Sequence, residues 1–500
     1  MTDVQALEAL FRQAAIALLA AALAVMATAR PATGWEKPDL SAQGPWDTRW
    51  QLTVGDRLRG EFADWFEGAP PNDNQRYDYL GNRFQLGIGV TRGIVSGFVQ
   101  YQHTQLVNVP GSATGVGSVY FANTRQHFQE QGWLRQGWIQ ATPAVGDWRL
   151  TLQAGRMRFL DGTETVAPDP NMQWVKTQRV AERLIGPFDF THVGRSFDGV
   201  RLAADTEAVN LTGFALWPTS GGFEISAGRG MDVNLAGVSA TLKDHPGFER
   251  TEARAFWIYY HDGRPSHGDV VPLDNRPLPE RQGDRRDLDV HTLGADVVHV
   301  APIGPGKLDA LVWVVGQVGD WQALAQRSWA VAGEVGYQLP KVWAAPWARA
   351  GYFASSGDGD PGDDDHATFF QLIPTPRLYA FTPFYNLMNN RDLFAQLIAK
   401  PHPTVSVRSD FHWLQTGSGK DVLYFGGGAT KQDFFGYGGT PAGGDRQIGY
   451  VTELSVSWKP LPVLELAAYY GHTFGGAVVE NGFPGRDDID YGFVETTVSF

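Results

Sequence analysis

The 500-residue chain contains no cysteine, which excludes disulfide frameworks, thiolate metal sites and cysteine nucleophiles. Charged residues are 19% of the chain, and the net charge of −13 is modest for this length. The acidic balance argues against nucleic acid as a partner, and the apolar content of 43% argues against disorder. The motifs of serine hydrolases, zinc proteases and nucleotide-binding loops are missing. We therefore expect a folded protein that is not an enzyme and uses neither a cofactor nor a metal.

Long apolar runs are almost absent as well. The one such run, residues 14–27, ends at Ala27-Thr28-Ala29. It is too short to span a bilayer as a helix, and its small-x-small ending is typical of a signal-peptidase site. Residues 1–29 are therefore predicted to be a signal peptide, and residues 30–500 the exported mature chain. That chain would be periplasmic, secreted or a β-barrel of the outer membrane.

Glycine and aromatic residues are abundant, with 59 Gly, 29 Phe, 17 Trp and 16 Tyr, and they suit twisted strands and tight turns. Apolar and polar side chains alternate in segments of about ten residues, which is typical of outer-membrane strands. In the first segment Leu52 and Leu58 alternate with Arg57 and Arg59. A soluble β-sandwich shows the same alternation, but the final strand ends in Phe500 and aromatic pairs at strand ends suit interfacial belts. The aromatic residues assigned to these belts are Trp343/Trp347, Trp413, Trp458 and Tyr469/Tyr470.

Turn positions predict the number of strands. About eight short turns alternate with longer stretches, so a barrel with both ends on the periplasmic side has about 18 antiparallel strands, with 16 as the alternative. The longer stretches, among them 68–78, 357–366 and 426–444, would be extracellular loops. The fold class is thus all-β, a transmembrane antiparallel barrel. A barrel of this size encloses an aqueous lumen unless loops fill it.

One of these stretches, residues 358–365, contains five aspartates. Its charge density is similar to that of a calcium loop, but the ligand spacing and the distal glutamate of an EF-hand are missing. A solvated loop is therefore favoured over a calcium site.

Arginine is the polar residue that tells most about function. Arg57, Arg59, Arg83 and Arg408 lie on the polar phase of their strands, and Arg156, Arg158, Arg195 and Arg201 lie within 150–202. These side chains could pair with lumen carboxylates and form a structural ladder. As a set they favour an electropositive constriction that passes anions, because guanidinium groups bind carboxylates bidentately and stay charged.

The stretch Ala154-Gly155-Arg156-Met157-Arg158-Phe159, followed by Val193-Gly194-Arg195-Ser196-Phe197-Asp198-Gly199-Val200-Arg201-Leu202, resembles the central motif of the alginate export family. The resemblance implies an 18-stranded, monomeric outer-membrane barrel whose arginine-lined pore conducts an anionic polysaccharide. It also matches Arg57, Arg59, Arg83, Arg156 and Arg201 to charged strand positions of the family. The resemblance and the residue pattern together predict two sets of site residues. The pathway set is Arg57, Arg59, Arg83, Arg156, Arg158, Arg195, Arg201 and Arg408, and the structural set is Gly155, Phe197, Asp198, Gly199 and Phe500. Arg195 can also be read as structural, as a residue that fixes the inward fold of residues 160–195, where a helix-like stretch at 173–183 departs from the family pattern.

The expected function is therefore an outer-membrane channel for an anionic polysaccharide or a carboxylated solute. Its other partners would be the lipid bilayer and the outer-membrane assembly machinery. A general or uptake porin for small organic solutes is the first alternative, because one fold serves both functions. A barrel enzyme such as a lipid hydrolase and a soluble secreted β-protein are further alternatives.

Overall fold

A computed structural model describes residues 37–68, 75–111, 113–375, 380–426, 431–432 and 435–500. Eighteen long strands form one sheet in these residues. In chain order they are β1 Arg49–Asp64, β2 Arg76–Arg92, β3 Val95–Val107, β4 Gln129–Ala141, β5 Trp148–Met157, β6 Phe197–Asp205, β7 Val209–Pro218, β8 Val233–Leu242, β9 Thr251–Asp262, β10 Leu288–Ile303, β11 Gly306–Trp321, β12 Leu324–Gln338, β13 Trp347–Ser355, β14 Asn390–His402, β15 Val405–Thr416, β16 Gln447–Leu461, β17 Leu464–Gly475 and β18 Ile489–Ser499. The short strands Ser41–Gln43, Ala144–Val145 and Asp365–His366 join the same sheet, and Val422–Tyr424 pairs separately with Gly439–Pro441.

The sheet closes because β18 pairs antiparallel with β1. Gly55 lies opposite Ser499 and Asp64 opposite Asp490, and the Phe500 N–H donates to the Val54 carbonyl at 2.8 Å. Every other long strand pairs with its neighbours in sequence. A closed barrel leaves no strand edge unpaired. The structure confirms the all-β class and the predicted number of 18 strands.

The two ends of the barrel differ in their connections. Eight connections of at most eight residues lie at one end, the short-turn end, where β1 begins and β18 ends. These are the eight predicted turns. The other nine connections lie at the long-loop end, and the prediction that all of them are long is wrong at one place. There Gln322 and Ala323 alone join β11 to β12, because Gln322 adopts a left-handed backbone with φ of 56° that reverses the chain within two residues.

The outer wall is apolar, as the alternation predicted. Leu58 and Leu202 are exposed on it, whereas the neighbouring Arg57 is buried inside. The predicted aromatic belts are wrong for Trp347 and Tyr469, which are buried in the lumen. The Trp347 Nε1–H donates to an Asp309 carboxylate oxygen at 2.7 Å. The Tyr469 hydroxyl is hydrogen-bonded to the Thr382 hydroxyl at 2.6 Å. These polar partners hold both rings inside the barrel.

The helices are short. They are α1 Val116–Thr124, α2 Pro170–Val175, α3 Arg264–His267, α4 Leu278–Gly283 and α5 Ala477–Gly482, and α2 continues as a π-helical turn at Lys176–Val180. No helix in the described ranges is long and apolar enough to cross a bilayer. The predicted signal peptide lies outside the described residues, as do parts of the predicted loops 68–78 and 426–444.

Candidate functional site

Residues 158–196, which connect β5 to β6, lie inside the barrel and cross its lumen. On one side His192 Nε2 is 2.7 Å from Glu61 of β1. On the far side Arg179 Nε is 2.9 Å from Glu334 of β12. All four side chains are buried. We call this connection the first inward segment, and it includes the 160–195 stretch that was expected to fold inward.

Local sequence explains the helix within this segment. The Asp169 carboxylate accepts the N–H groups of Asn171 at 2.8 Å and Met172 at 3.3 Å, and Pro170 occupies the first helical position, so the helix starts on a strong cap. This cap places the start three residues before the predicted 173–183 stretch. The π-helical turn then ends at Val180, and Ala181 is extended.

A second connection also enters the lumen, and sequence analysis missed it. Its described residues, 356–375 and 380–389, join β13 to β14. Ile373 bridges to Ile185 of the first inward segment and accepts the Gly186 N–H at 2.9 Å. Phe369, Phe370 and Leu372 are fully buried. The apolar residues within 369–373 could have indicated this inward path, because solvated loops rarely expose several neighbouring apolar side chains.

The second inward segment includes the acidic stretch 358–365, where the expectation of a solvated loop fails only for Asp358. Asp358 is only 3% exposed, because its N–H donates to the Asp421 carboxylate at 2.9 Å and draws the start of the loop inward. Asp363 and Asp364 are exposed as expected. In the described part of the chain, no group of three or more acidic or histidine side chains is placed to hold a metal ion.

Four predicted or neighbouring arginines converge on residue 189 of the first inward segment. Arg57 donates to the Asp189 carbonyl at 2.9 Å and to that of residue 191 at 2.6 Å, and Arg83 donates to the Asp189 carbonyl at 2.9 Å. Arg135, which sequence analysis missed, and Arg158 pair with the Asp189 carboxylate. Burial alone would raise the pKa of Asp189, but these neighbouring guanidinium groups outweigh it and hold the pKa below its usual value. These four guanidinium groups therefore bind groups of the first inward segment rather than a solute.

Arg59 and Arg195 have contrasting surroundings. Arg59 Nε is 2.7 Å from Glu495, its Nη1 donates to the Phe190 carbonyl at 2.9 Å, and its guanidinium lies 4.1 Å from the Phe190 ring centre. Arg195 is 1% exposed and lies 5.6 Å from the Phe188 ring centre. None of its guanidinium nitrogens has a hydrogen-bond partner among the residues described.

Arg156 lies apart from the other predicted pathway residues. It forms a bidentate ion pair with Asp198, with both N···O distances 2.7 Å. Both side chains lie on the same face of the sheet as Leu152 and Val200, which point outward. Period-two alternation therefore turns it away from the lumen, contrary to expectation. Phe197, one residue from Asp198, is buried inside.

The motif glycines are explained by backbone packing. Gly155 and Gly199 have φ of 121° and 149°, and a Cβ at these positions would lie 2.3 Å from the Gly137 carbonyl oxygen and 2.1 Å from that of Ala215. Side chains are excluded at both places. The glycines of the motif thus fix how β4–β7 pack.

Arg201 and Arg408 face the lumen from β6 and β15, which are nine strands apart in the ring of eighteen. Arg201 makes no hydrogen bond or ion pair within the described ranges. Arg408 Nε is 2.7 Å from Asp410, and its guanidinium lies 5.0 Å from the Phe381 ring centre.

A chamber of about 620 Å³ occupies the short-turn half of the lumen; we call it the turn-side chamber. It extends from Pro403 in the β14–β15 turn to Trp174 and Phe190 of the first inward segment and Phe381 of the second. The charged residues that line it are Arg59, Lys400, Arg408, Lys459, Glu465 and Glu495.

Positive charge exceeds negative charge in this chamber. Arg59 is offset by Glu495, and Lys459 is offset by Glu465 at 3.2 Å. The Lys400 ammonium, which sequence analysis did not single out, has no ion-pair partner in the part of the chain that the structure describes. An aromatic inner wall and an uncompensated cation can together hold a ring that carries a carboxylate.

Comparisons with known proteins agree with this architecture. The family model described as alginate export matches residues 70–488. The outer membrane protein OpdK from Pseudomonas aeruginosa is 11% identical, with 90% of this chain and 99% of that chain covered and a TM-score of 0.53, and a structure of OpdK with vanillate has a TM-score of 0.53 at 12% identity over 90% and 98%. A BenF-like porin from Pseudomonas fluorescens Pf-5 is 9% identical over 90% and 98%, with a TM-score of 0.54. These likenesses show the fold alone. A comparison with curated proteins finds no match.

Proposed function

This chain belongs to the alginate export family, and on that basis we propose that it conducts carboxylated saccharides or similar anionic solutes through its lumen. Its family and its closed barrel support a channel of the outer membrane. The preference for anions is our proposal. The observation that supports it is the turn-side chamber, which is lined by aromatic rings and by Lys400, a cation without an ion-pair partner among the described residues.

Lumen geometry makes this charge effective. A fixed charge behind a low-dielectric wall focuses its field into the opening and raises the local concentration of counter-ions. Arg201, which also makes no ion pair within the described ranges, lies on β6, eight strands away from β14, which carries Lys400. A carboxylate can therefore leave one cation for another, and weak multiple sites permit conduction where one tight site would trap the solute.

The remaining predicted arginines are not counted as solute sites. Arg57 and Arg83 bind the first inward segment, Arg158 pairs with Asp189 within it, and Arg156 faces outward. For these side chains the structural-ladder interpretation is favoured. The proposed pathway thus depends on fewer residues than the sequence suggested.

Aromatic rings in the chamber favour a solute that is itself a ring. Phe190 and Phe381 stack with ring centres 6.2 Å apart and an angle of 21°, and Arg59 and Arg408 lie over them. The apolar face of a sugar ring packs on such a surface while its carboxylate meets a cation. A volume of about 620 Å³ is within the range of roughly 300–1,000 Å³ that small-molecule sites occupy.

Blockade of single-channel current tests this proposal. We expect digalacturonate to interrupt the current of the full-length protein in planar bilayers, and the neutral disaccharide of the same ring size to have little effect. Lys400→Gln should weaken the blockade, whereas Arg149→Gln, which changes an exposed arginine near the short-turn end, should not. Equal blockade by the charged and the neutral disaccharide would contradict the proposal.

A porin for small carboxylated solutes is the second candidate function. The observation that favours it is the filling of the lumen, because both inward segments are anchored inside and bridge each other at Ile185 and Ile373. A polymer would have to thread past them. Long oligogalacturonates that block the channel without crossing it would favour the small-solute function, and their passage would favour polysaccharide conduction.

A further inference from the structure

An apolar cavity of about 210 Å³ lies at the long-loop end, far from the turn-side chamber. Five connections build it: β1–β2 contributes Trp65 and Phe66, β3–β4 contributes residues 114–119, and β17–β18 contributes Phe483. The second inward segment and the β15–β16 connection supply the remaining walls, which include Phe384 and Phe425. We propose that this cavity is a binding site for the aromatic ring of a small molecule.

The walls are already arranged as an aromatic cage. Phe66 meets Phe384 edge-on, with ring centres 5.5 Å apart and an angle of 89°, and it stacks on Phe483 at 5.1 Å and 29°. Edge-on and offset-stacked pairs are the preferred geometries between aromatic rings. A ligand ring in the cavity meets both the face and the edge of these walls.

Polar recognition is weak at this site. Among the described lining residues Thr114 has the one hydroxyl side chain and Trp65 adds an indole N–H. The Thr114 hydroxyl is already 2.5 Å from the Gln75 side-chain oxygen and 3.1 Å from the Phe66 carbonyl. A water molecule in such a cavity needs two or more polar partners, and an apolar cavity without them stays dry. The occupant is therefore an apolar group.

The volume of the cavity suits a ligand with a single aromatic ring. An apolar cavity of about 150 Å³ accommodates benzene, so 210 Å³ leaves space for one aromatic ring with a small substituent. Gly115 helps to set this shape, since with φ of 85° a Cβ there would lie 2.5 Å from the Trp65 ring. Because separate connections form the walls, a bound ring would also tie those connections together.

The test uses 4-fluorobenzyl alcohol and the full-length protein in detergent, with ¹⁹F NMR as the readout. We expect saturable binding to the wild type. Val119→Phe fills the cavity from α1 and should weaken binding by about tenfold or more, because the added ring occupies the ligand's volume. The matched control is Val145→Phe, which adds the same ring at an exposed position of the short-turn end and should bind as the wild type does.

The binding experiment has two controls, one for folding of the variant and one for the site that is occupied. Heat-modifiable gel mobility shows whether Val119→Phe folds, and Val119→Leu offers a smaller filling with an intermediate loss if it does not. Galacturonate should fail to displace the fluorinated ring, which separates this site from the turn-side chamber. Absence of saturable binding, equal binding by Val119→Phe, or displacement by galacturonate would each overturn the proposal.

Discussion

Arginine occurs inside this barrel in different environments, and the neighbours of each side chain determine what it can do. Arg57 donates to backbone carbonyls of the first inward segment, Arg408 is paired with Asp410, and Arg201 makes no hydrogen bond or ion pair among the described residues. A charge that is satisfied by protein groups stabilises structure. A charge that faces open lumen acts on solutes.

Replacing Arg57 by alanine should loosen the first inward segment. Each lost hydrogen bond from a charged donor costs about 1.5–3 kcal/mol, and the carbonyls of residues 189 and 191 would each lose one donor and keep only Arg83 among the described donors. We expect higher single-channel conductance and faster proteolysis within 158–196. Arg149→Ala is the control, since Arg149 is exposed and its pairing with Asp205 lies away from the segment. Unchanged conductance and proteolysis in Arg57→Ala would contradict the anchoring role.

Replacing Lys400 by glutamine should change the ion selectivity of the channel without changing its stability. The ammonium has no ion-pair partner within the described ranges, so its loss should leave thermal stability unchanged. The ratio of anion to cation permeability should fall roughly twofold, because focused charge controls the local ion concentration. Reversal potential and melting are measured on the same preparation. A destabilised variant with unchanged ion preference would assign Lys400 a structural role.

Sequence alone could place most of these side chains but not their partners. Period-two alternation correctly separates Arg57 from Leu58, because adjacent strand residues point to opposite faces. The partner of Arg57, Asp189, comes from a segment 132 residues away in sequence, and no local pattern encodes that contact. The same rule applied to Arg156 would have placed it outward, but its membership in a motif suggested a lumen role.

At the scale of elements, the strands and short turns could be predicted and the paths of the long connections could not. Strands alternate because one face meets lipid and the other meets the lumen. A connection folds inward only if its own side chains complement the barrel interior, as Ile373 complements Ile185. That complementarity depends on two distant segments together.

The long-loop end should respond to pH through Asp421, which lies in the β15–β16 connection. Burial raises the pKa of this carboxyl to about 6, despite hydrogen bonds from Thr368 and from backbone N–H groups. The folded connection therefore retains a proton that the unfolded chain releases above its usual pKa of 3.8. The stabilisation is complete below about pH 4 and is lost as the pH rises through 6, with a total of at most about 3 kcal/mol.

Hydrogen exchange of residues 416–426 should consequently be slower at pH 5 than at pH 7.5, after correction for intrinsic rates. Asp421→Asn imitates the neutral carboxyl and should remove this difference. Asp445→Asn, in the same connection, is the control. A pH response that survives in Asp421→Asn would assign the effect to another group.

At the scale of the whole molecule, the barrel depends on one closing contact. The Phe500 N–H donates to Val54, and β18 pairs with β1 from Ser499 to Asp490. Deleting Phe500, or replacing it by aspartate, should reduce the amount of folded barrel in the outer membrane. The deletion removes the last hydrogen bonds of the closing pair, and the aspartate places a charge on the lipid-facing phase of β18. Heat-modifiable mobility in unboiled gels is the readout. Normal amounts of the fast-migrating form would contradict this expectation.

The central claim is that the lumen prefers anions although the chain carries a net charge of −13. The most direct test is the reversal potential of the wild-type channel in a planar bilayer across a potassium chloride gradient. Our account predicts the sign of an anion-selective pore, with a preference that weakens as salt rises, because the Debye length falls to about 8 Å at physiological ionic strength. A reversal potential of the opposite sign would contradict it.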